Sequence, residues 1–408
     1  MRDLTRWAEG ERAKGVSICI CAQGTVDIPV PENLLTRQFA PAAALPEAHR
    51  YPPQLGSRDL RASFLAHLND WERIATALTI EDPTGEARHQ GNLLVTSGVN
   101  GGVIAALHHV RERYGATANC AVFDPSYLYH DLDVLAVFGR GAVHFKPRED
   151  FTFDRQAVES ALVARSIQAL VVCNPANPNG LLLNDEEIQW LIDIAGQNDA
   201  IVIFDEVYAH IQEAGQTFRS PLHVLETIPK HVVVIRGWSK LLGLQSDRLG
   251  CLIAHEEVIP RILRWHDILY IGVNGAGQAA LARYLHSPDD LVSHAASLNR
   301  TITENARVIG DAFAQALGWK LLQTDRVGRS TIYRMLSHDR ATDLEAMLVA
   351  LQRGVAAAPG NLFWPPSNRD PVAGVRIPNT GTLRLSLAMP TAAVTTGAAQ
   401  LRSGKTIF

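Results

Sequence analysis

The stretch ALVVCNPANPNG, residues 169–180, runs from five consecutive apolar residues into a loop that contains two Asn-Pro pairs. Four other short apolar runs, rich in β-branched residues, also give way to polar chemistry. These runs are residues 93–96, 120–123, 201–204 and 232–235, and they lead into Ser97, Asp124, Asp205 and Arg236. Continuous apolarity, rather than alternation, is typical of strands covered on both faces. The pattern therefore predicts an α/β fold with a mostly parallel sheet, and a ligand site beyond the carboxyl ends of its strands.

The composition predicts a globular chain with a sizeable core. Of 408 residues, 47% are apolar, and 38 Lys and Arg against 42 Asp and Glu give a net charge of −4. This balance indicates neither nucleic acid nor a membrane surface as a partner, and no apolar stretch approaches the about 20 residues that span a bilayer. Residues 1–15 lack the apolar region of a signal peptide. Five cysteines without a CxxC pair favour reduced thiols, no bound metal and a cytoplasmic location.

The sequence texture changes at about residue 290. Residues 290–317 predict one long amphipathic helix that ends at Gly318, and strand-like pieces follow at 330–335 and 381–387, with a short helix at 344–353. We expect three parts: an N-terminal segment (1–40) packed on a small domain, a large domain (41–289), and a linker helix with a small α+β domain (290–408). The stretch Trp364-Pro365-Pro366 is expected to be an ordered loop.

Asp205 and Lys240 are the first candidates for chemistry. Asp205 follows a buried run, where a carboxylate is costly without a cation nearby. Taken alone, a helix N-cap is the commoner explanation for such an aspartate. Lys240 follows the next apolar run, and most lysines are solvated surface charges. A lysine beyond a strand end, beside a buried acid, is instead a candidate Schiff-base nucleophile.

Two loops are candidates for ligand binding. The Asn-Pro pairs at 174–175 and 177–178 cannot continue a helix or a central strand, because proline lacks an amide donor. They describe a rigid loop that presents an Asn side chain. In Ser97-Gly98-Val99-Asn100, glycine lets backbone amides approach an anion at a helix N-terminus, although plain turn chemistry explains this string equally well.

These motifs occur in an order that resembles a known family. They are Tyr51…Gly56…Leu60-Arg61, Ser97-Gly98-Val99-Asn100, Pro125-Ser126-Tyr127, Asn174-Pro175-x-Asn177-Pro178-x-Gly180, Asp205-x-x-Tyr208, Ser239-Lys240…Arg248-x-Gly250 and Arg384. The set resembles fold-type I pyridoxal-phosphate enzymes and, more narrowly, the class I/II aminotransferase family, over nearly the whole chain. The resemblance implies a fold-type I architecture, with a large domain built on a mostly parallel sheet and a smaller α+β domain.

The resemblance also implies catalytic roles. Lys240 would hold pyridoxal 5'-phosphate (PLP) as a Schiff base, the internal aldimine, and shuttle a proton. Asp205 would pair with the pyridinium nitrogen and keep the ring an electron sink. Tyr127 would stack on the ring, while Asn177 and Tyr208 would hydrogen-bond its phenolic oxygen, O3′.

Further positions would bind the phosphate and the substrate. The resemblance implies that the amides of Val99 and Asn100, with Ser239 and Arg248, hold the phosphate. Tyr51 would reach the phosphate of a neighbouring subunit, which implies a homodimer with shared active sites. The substrate carboxylate would be bound by Arg384, bidentately, and by Asn177 and Gly24.

The sequence departs from the family pattern at three places. Gly237 stands where relatives usually carry a serine that binds phosphate. Ser246-Asp247 replaces a common glycine and puts an extra acid beside Arg248. Residues 21–25 differ from the frequent Gly-x-Pro loop. We expect the cofactor to be retained despite these departures.

The expected reaction is transfer of an amino group from an L-amino acid to a 2-oxo acid. The altered loops leave open PLP-dependent elimination, cyclisation or oxidation of an amino acid in specialised metabolism. A non-catalytic PLP-binding regulator is disfavoured. Such proteins append a basic DNA-binding domain to this fold, and we expect none here because the family pattern already begins near Tyr51. The histidines His108, His109, His130 and His210 favour packing or surface roles over metal binding, although His130 or His210 could line the pocket. The substrate side chain stays open.

Overall fold

The apolar runs form strands of one seven-stranded sheet. The computed structural model describes residues 1–81, 90–364 and 380–407. The strands are β1 (Cys19–Ile20), β2 (Leu93–Ser97), β3 (Cys120–Phe123), β4 (Val143–Phe145), β5 (Ala169–Cys173), β6 (Ile201–Glu206), β7 (Val232–Gly237), β8 (Leu249–Ala254), β9 (Lys320–Leu321), β10 (Tyr333–Ser337), β11 (Val355–Ala356), β12 (Ala358–Pro359) and β13 (Thr382–Ser386).

The helices surround this sheet. They are α1 (Arg2–Ala13), α2 (Glu32–Leu34), α3 (Ala40–Ala43), α4 (Arg58–His67), α5 (Gly98–Tyr114), α6 (Leu128–Phe138), α7 (Arg155–Val163), α8 (Asp185–Gln197), α9 (Pro221–Val224), α10 (Ile259–Tyr270), α11 (Gly275–Leu285), α12 (Pro288–Leu317), α13 (Asp343–Gln352) and α14 (Thr391–Ser403). Short π-type turns lie at Leu35–Phe39 and Leu68–Glu72, and 3-10 turns at Pro46–His49 and Gly360–Phe363.

The large sheet has the strand order β2-β8-β7-β6-β5-β3-β4. In this sheet β8 runs antiparallel to the other six strands, so the expected mostly parallel α/β sheet is confirmed. The runs at 120–123 and 169–173 coincide with β3 and β5. Strands β4 and β8 were not predicted. β4 is only three residues long, and β8 begins with Leu249-Gly250-Cys251, which lacks a β-branched run.

Burial on both faces explains why the strands read as continuous apolar runs. In β7, Val232 and Val234 belong to one core cluster, whereas Val233 and Ile235 belong to another. The second cluster also contains Val103 of α5, and all of these side chains are buried. Both faces therefore exclude water, and the polar residues are confined to the strand ends.

A four-stranded antiparallel sheet, β12-β13-β10-β9, forms beyond α12. The helix runs from Pro288 to Leu317 and ends at Gly318, which has a left-handed φ of 73°. The strand predicted from residue 330 begins only at Tyr333, because Thr331 also has a positive φ, 63°, which breaks the extended backbone. Tyr333 pairs with Ser386, and Met335 pairs with Arg384.

The N-terminal segment reaches this second region through one strand pair. Cys19 and Ile20 of β1 pair in parallel with Val355 and Ala356 of β11. The domain division at residues 40 and 290 stays a prediction. Pro365 and Pro366 of the predicted ordered loop lie outside the described residues. Over the described ranges, no helix combines the length and apolarity needed to cross a bilayer.

Candidate active site

The site begins where the parallel strands of the large sheet end. Asp205 is the last residue but one of β6, and Cys173 of β5 is its register partner. The next residue of the Asn-Pro loop, Asn174, donates its backbone amide to the Asp205 carbonyl over 2.9 Å. The strand ends therefore bring the Asn-Pro loop and the acid together, as expected for an α/β sheet.

Asp205 is buried and held in place by two donors. Its Oδ2 lies 2.8 Å from Nε2 of His130, and its Oδ1 accepts the amide of Val207 over 3.0 Å. His130 projects from α6 and is itself 2% exposed. Sequence reasoning predicted for His130 a packing or surface role, or a place in the lining of the pocket. His130 comes three residues after Tyr127, in the first turn of the helix that Tyr127 precedes. This spacing was the sequence signal that His130 lies near the site.

Tyr127 packs against His130, the partner of Asp205. Its ring stands edge-on to His130, with the ring centroids 5.3 Å apart and an interplanar angle of 87°. It also lies 5.4 Å from the Tyr129 ring. Burial raises the pKa of the Tyr127 hydroxyl, so the ring stays neutral. Tyr127 therefore provides an uncharged aromatic wall.

Lys240 points into the protein. It is half-buried, and its Nζ donates a hydrogen bond to the carbonyl oxygen of Gly24. Its neighbour Ser239 is buried. The amine is thus held against the N-terminal loop and away from bulk solvent.

The N-terminus of α5 forms an open cradle for an anion. Ser97 makes no side-chain capping hydrogen bond within the described chain, so its side chain leaves the amides of Val99 and Asn100 available. Gly98 has a φ of 66°, and a Cβ there would clash with the guanidinium of Arg248. The backbone amide of Gly98 donates to the carbonyl of Arg248 over 2.9 Å. Arg248 and the helix end therefore lie side by side.

One departure from the family pattern, at Gly237, has a local explanation. A Cβ on Gly237 would lie 2.6 Å from Cγ2 of Val99, which is closer than real Cβ contacts. The position thus has no room for the serine of relatives while Val99 is present. The extra acid, Asp247, lies 3.4 Å from Nδ2 of Asn274, and burial raises its pKa.

Asn177, Tyr208 and Arg384 form one connected group. Nδ2 of Asn177 donates to the Tyr208 hydroxyl over 3.3 Å, and Nη1 of Arg384 donates to Oδ1 of Asn177 over 3.2 Å. Nη2 of Arg384 donates to the carbonyl of Ala22 over 3.0 Å. Arg384 is 2% exposed, and its Nε has no partner among the described residues. A buried arginine with a spare donor suits an anionic ligand.

Tyr333 belongs to this group, and sequence reasoning missed it. Its hydroxyl lies 3.1 Å from the Tyr208 hydroxyl, and its ring centroid lies 4.1 Å from Cζ of Arg384. A Cβ on Gly24 would clash with the same hydroxyl. Nothing in the motif pattern marks residue 333, since its place follows from strand pairing alone.

Tyr51 does not join the site within this chain. Its side chain is 85% exposed. The nearby Pro52 contacts the position of Gly272, at the end of α10, where a Cβ would lie 3.0 Å from Pro52 Cδ. Tyr51 therefore projects outward, and its role stays a prediction.

A buried charge cluster lies beneath the site. Nη1 of Arg236 lies 2.9 Å from Oε1 of Glu72, and its Nε contacts Glu206, the residue after Asp205. His210, for which a packing or surface role or a place in the pocket lining was expected, is part of this cluster, with Nε2 3.0 Å from Glu72. Burial raises the pKa of Glu206 to about 7. Burial also acts to raise the pKa of Glu72, but Arg236 and His210 hold it well below its usual range.

Comparison with known proteins assigns the family. The sequence model described as "Aminotransferase class I and II" matches residues 22–401. The chain belongs to the class I and II aminotransferase family. Members of this family use PLP, so the predicted fold, family and cofactor are confirmed.

Individual relatives differ in the substrates that their names state. An aromatic amino acid aminotransferase of Thermobifida fusca (strain YX) is 30% identical over 201 residues, 48% of this chain and 52% of that protein. A histidinol-phosphate aminotransferase of Frankia casuarinae is 31% identical over 225 residues, 54% of this chain and 51% of that protein. These alignments thus span about half the length of each curated relative.

Solved structures share the fold over almost the whole chain. Aspartate aminotransferase from Thermus thermophilus with maleate has a TM-score of 0.81 at 20% identity, covering 98% of this chain and 95% of that chain. Bna3p, a putative kynurenine aminotransferase from Saccharomyces cerevisiae, has a TM-score of 0.82 at 17% identity, with the same coverage.

The residues present fit the cofactor of this aminotransferase family. A phosphate ester suits the uncapped end of α5 beside Arg248. A pyridinium nitrogen suits the buried carboxylate of Asp205, and an aldehyde suits the inward amine of Lys240. The three groups emerge from one end of the sheet, so they can meet a single ligand.

Proposed function

We propose that this protein is a PLP-dependent aminotransferase that moves an amino group from an L-amino acid to a 2-oxo acid. One observation carries the proposal. Lys240 Nζ donates to the carbonyl of Gly24, and Nη2 of Arg384 donates to the carbonyl of Ala22, 3.0 Å away. The amine of Lys240 and the guanidinium of Arg384 thus donate to backbone carbonyls that are two residues apart in the same loop. An α-amino acid carries its amino and carboxylate groups on one carbon, so such a ligand suits a site in which an amine and a guanidinium contact the same loop.

Bound PLP supplies an aldehyde that condenses with amines and a ring that accepts the electron pair left when an amino acid loses its α-proton. Lys240 anchors the cofactor through its amine and then carries the α-proton. The Asp205 carboxylate holds a proton on the ring nitrogen, and His130, 2.8 Å from Oδ2, orients that carboxylate. Tyr127 covers a ring face and excludes water.

The remaining residues bind and orient. The amides of Val99 and Asn100 hold the phosphate together with Ser239 and Arg248, where the helix dipole favours negative charge. Arg384 receives the substrate carboxylate in its fork of donors, next to Asn177 and Gly24. Because Asn177 also contacts Tyr208 at 3.3 Å, the substrate and the cofactor oxygen O3′ share one hydrogen-bonded group.

We further propose that two copies share their sites and that Tyr51 serves the partner's phosphate. The 85% exposure of Tyr51 supports this, since a side chain with an intramolecular ligand contact would be covered. Mixing Tyr51→Phe and Lys240→Ala chains tests it. Hybrid dimers carry one site free of both changes, so activity above that of either parent is expected. No gain on mixing, despite a dimeric mass, would contradict the proposal.

The domain division at 1–40, 41–289 and 290–408 and the cytoplasmic location are also proposals. Pairing of β1 with β11 supports the assignment of the N-terminal segment to the small domain. The five free cysteines support a reducing compartment. Limited proteolysis tests the division: cleavage confined to the region around residue 290 would support it, and scattered cleavage would contradict it.

The function is tested by the cofactor's absorbance. Holoprotein mixed with each L-amino acid should convert to the pyridoxamine form, and a 2-oxo acid should reverse the change. Lys240→Ala should lose the covalently bound cofactor band and turnover while keeping its thermal transition. Lys230→Ala is the matched control, since Lys230 pairs with Glu257 on the surface. Product release from an amino acid without any pyridoxamine phosphate would instead favour elimination, cyclisation or oxidation.

A further inference from the structure

Tyr333 lies between two residues of the predicted site. One is Arg384, which is predicted to bind the substrate carboxylate, and the other is Tyr208, which is predicted to bind the cofactor oxygen O3′. Tyr333 is the first residue of β10, is 2% exposed, and pairs with Ser386 of β13. Arg384 lies two positions away on the same face of β13, diagonal to Tyr333. Diagonal neighbours in an antiparallel pair are about 7–8 Å apart at Cα, which an aromatic ring and a long side chain span easily.

The ring of Tyr333 positions the Arg384 guanidinium. Cζ of Arg384 lies 4.1 Å from the Tyr333 ring centroid and 4.5 Å from that of Phe363. Two aromatic rings thus hold a planar cation and limit its rotation, which keeps its fork of donors in one plane. A carboxylate bound bidentately requires that plane to be fixed.

The hydroxyl of Tyr333 positions Tyr208. It lies 3.1 Å from the hydroxyl of Tyr208, and the two rings meet edge to face with centroids 5.6 Å apart. It also occupies the space that a side chain at Gly24 would need. The same tyrosine therefore touches the N-terminal loop, the carboxylate clamp and the residue expected at the cofactor's O3′.

We propose that Tyr333 is a positioning residue that aligns Arg384 with Tyr208, so that substrate carboxylate and cofactor O3′ are held in one fixed relation. The proposal rests on the proposed function of the site. The ring and the hydroxyl have separable effects: the ring fixes the arginine, and the hydroxyl accepts the hydrogen bond that Tyr208 donates and so competes with O3′ for that donor.

Two variants separate these effects, and a third is the control. Tyr333→Phe removes only the hydroxyl, and Tyr333→Leu removes the ring as well. Tyr284→Phe is the matched control, because Tyr284 is also 2% exposed and its hydroxyl has no partner within the described chain. The measurements are the pH titration of the bound cofactor's absorbance, KM and kcat, and the thermal transition.

Tyr333→Phe should lower the titration midpoint of the cofactor band by about half a pH unit, since Tyr208 is then free to donate to O3′ and stabilises the anionic oxygen more. It should leave KM for the amino acid within about twofold of the native value. Tyr333→Leu should make the same shift and raise KM about 10-fold, because the guanidinium loses one face. Tyr284→Phe should change neither quantity.

A titration in Tyr333→Phe identical to the native protein, or a native KM in Tyr333→Leu, would overturn the proposal. Equal changes in Tyr284→Phe would reduce Tyr333 to a general packing role and overturn it too. Failure of the proposed function looks different, since the native protein itself would then lack the cofactor band or the amino-acid reaction. If Tyr333→Leu does not fold, Tyr333→Phe and its titration still decide the matter.

Discussion

Nη1 of Arg384 donates to Oδ1 of Asn177 over 3.2 Å, although 207 positions separate the two residues. The contact joins β13 of the small sheet to the Asn-Pro loop of the large one. An arginine so placed would bind a carboxylate with two parallel donors while a third donates to the loop. A lysine at this position would have to give up one of these roles.

Arg384→Lys should therefore raise KM for the amino acid about 10- to 100-fold and lower kcat less. Steady-state kinetics with one amino acid and one 2-oxo acid measure both. Arg402→Lys, on the exposed end of α14, should behave like the native protein. An unchanged KM in Arg384→Lys would exclude the arginine from carboxylate binding.

Asp205→Asn should lower the amino-transfer rate by about 10³-fold or more, because a neutral amide does not hold a proton on the ring nitrogen. The amide can still accept the backbone N–H of Val207, so the fold should be retained. Single-turnover absorbance changes measure the rate, and circular dichroism checks the fold. A rate near the native value would contradict the role of Asp205.

Gly237→Ser should weaken PLP binding, although relatives usually carry serine there. The new Cβ would lie 2.6 Å from Cγ2 of Val99, and overpacking of this kind costs about 1–3 kcal/mol. Titration of apoprotein with PLP measures the dissociation constant. Adding Val99→Ala should restore binding, since it removes the clash. Tighter binding in the single variant would show that the space exists after all.

His144 contacts Asp124, at the start of the loop from Asp124 to Tyr127. This contact should make the thermal stability of the protein depend on pH. Burial lowers the pKa of His144, but hydrogen bonds to Asp124 (2.8 Å) and Asp131 (3.3 Å) outweigh this and raise the pKa to about 9. A histidine with a raised folded pKa stabilises most below its unfolded pKa of about 6.5 and loses that contribution as pH rises through 9.

His144→Gln should therefore lower the thermal midpoint by about 2–4 °C at pH 6 and by much less at pH 9.5. Scanning calorimetry of both proteins at the two pH values provides the comparison. A difference that is the same at both pH values would mean that the charge of His144 does not contribute.

Local pattern was enough to predict the large sheet. A strand that is buried on both faces is apolar at every position, so β3 and β5 match the apolar runs identified in the sequence. Strand β8 could not be predicted, because a glycine follows Leu249 and no β-branched residue appears before Ile253. The late start of β10 reflects the positive φ of Thr331, which no local pattern signals.

The candidate site was predictable only where residues sit in ordered motifs. Asp205 lies at the end of a strand, and Asn177 and Lys240 follow strand ends, so their chain positions indicate their place. Contacts between residues that are far apart in the chain could not be predicted from local sequence patterns. Arg236 and Glu72 are 164 positions apart, and Tyr333 reaches the site through the register of a different sheet.

The close approach of the Tyr333 hydroxyl to Gly24 has an evolutionary consequence. A side chain at residue 24 would overlap that oxygen, so neither position can vary freely. Among homologues that keep this loop conformation, the two sites should covary: alanine or larger at 24 is expected only where 333 is no longer tyrosine. Divergence in this lineage would then proceed through paired rather than single replacements.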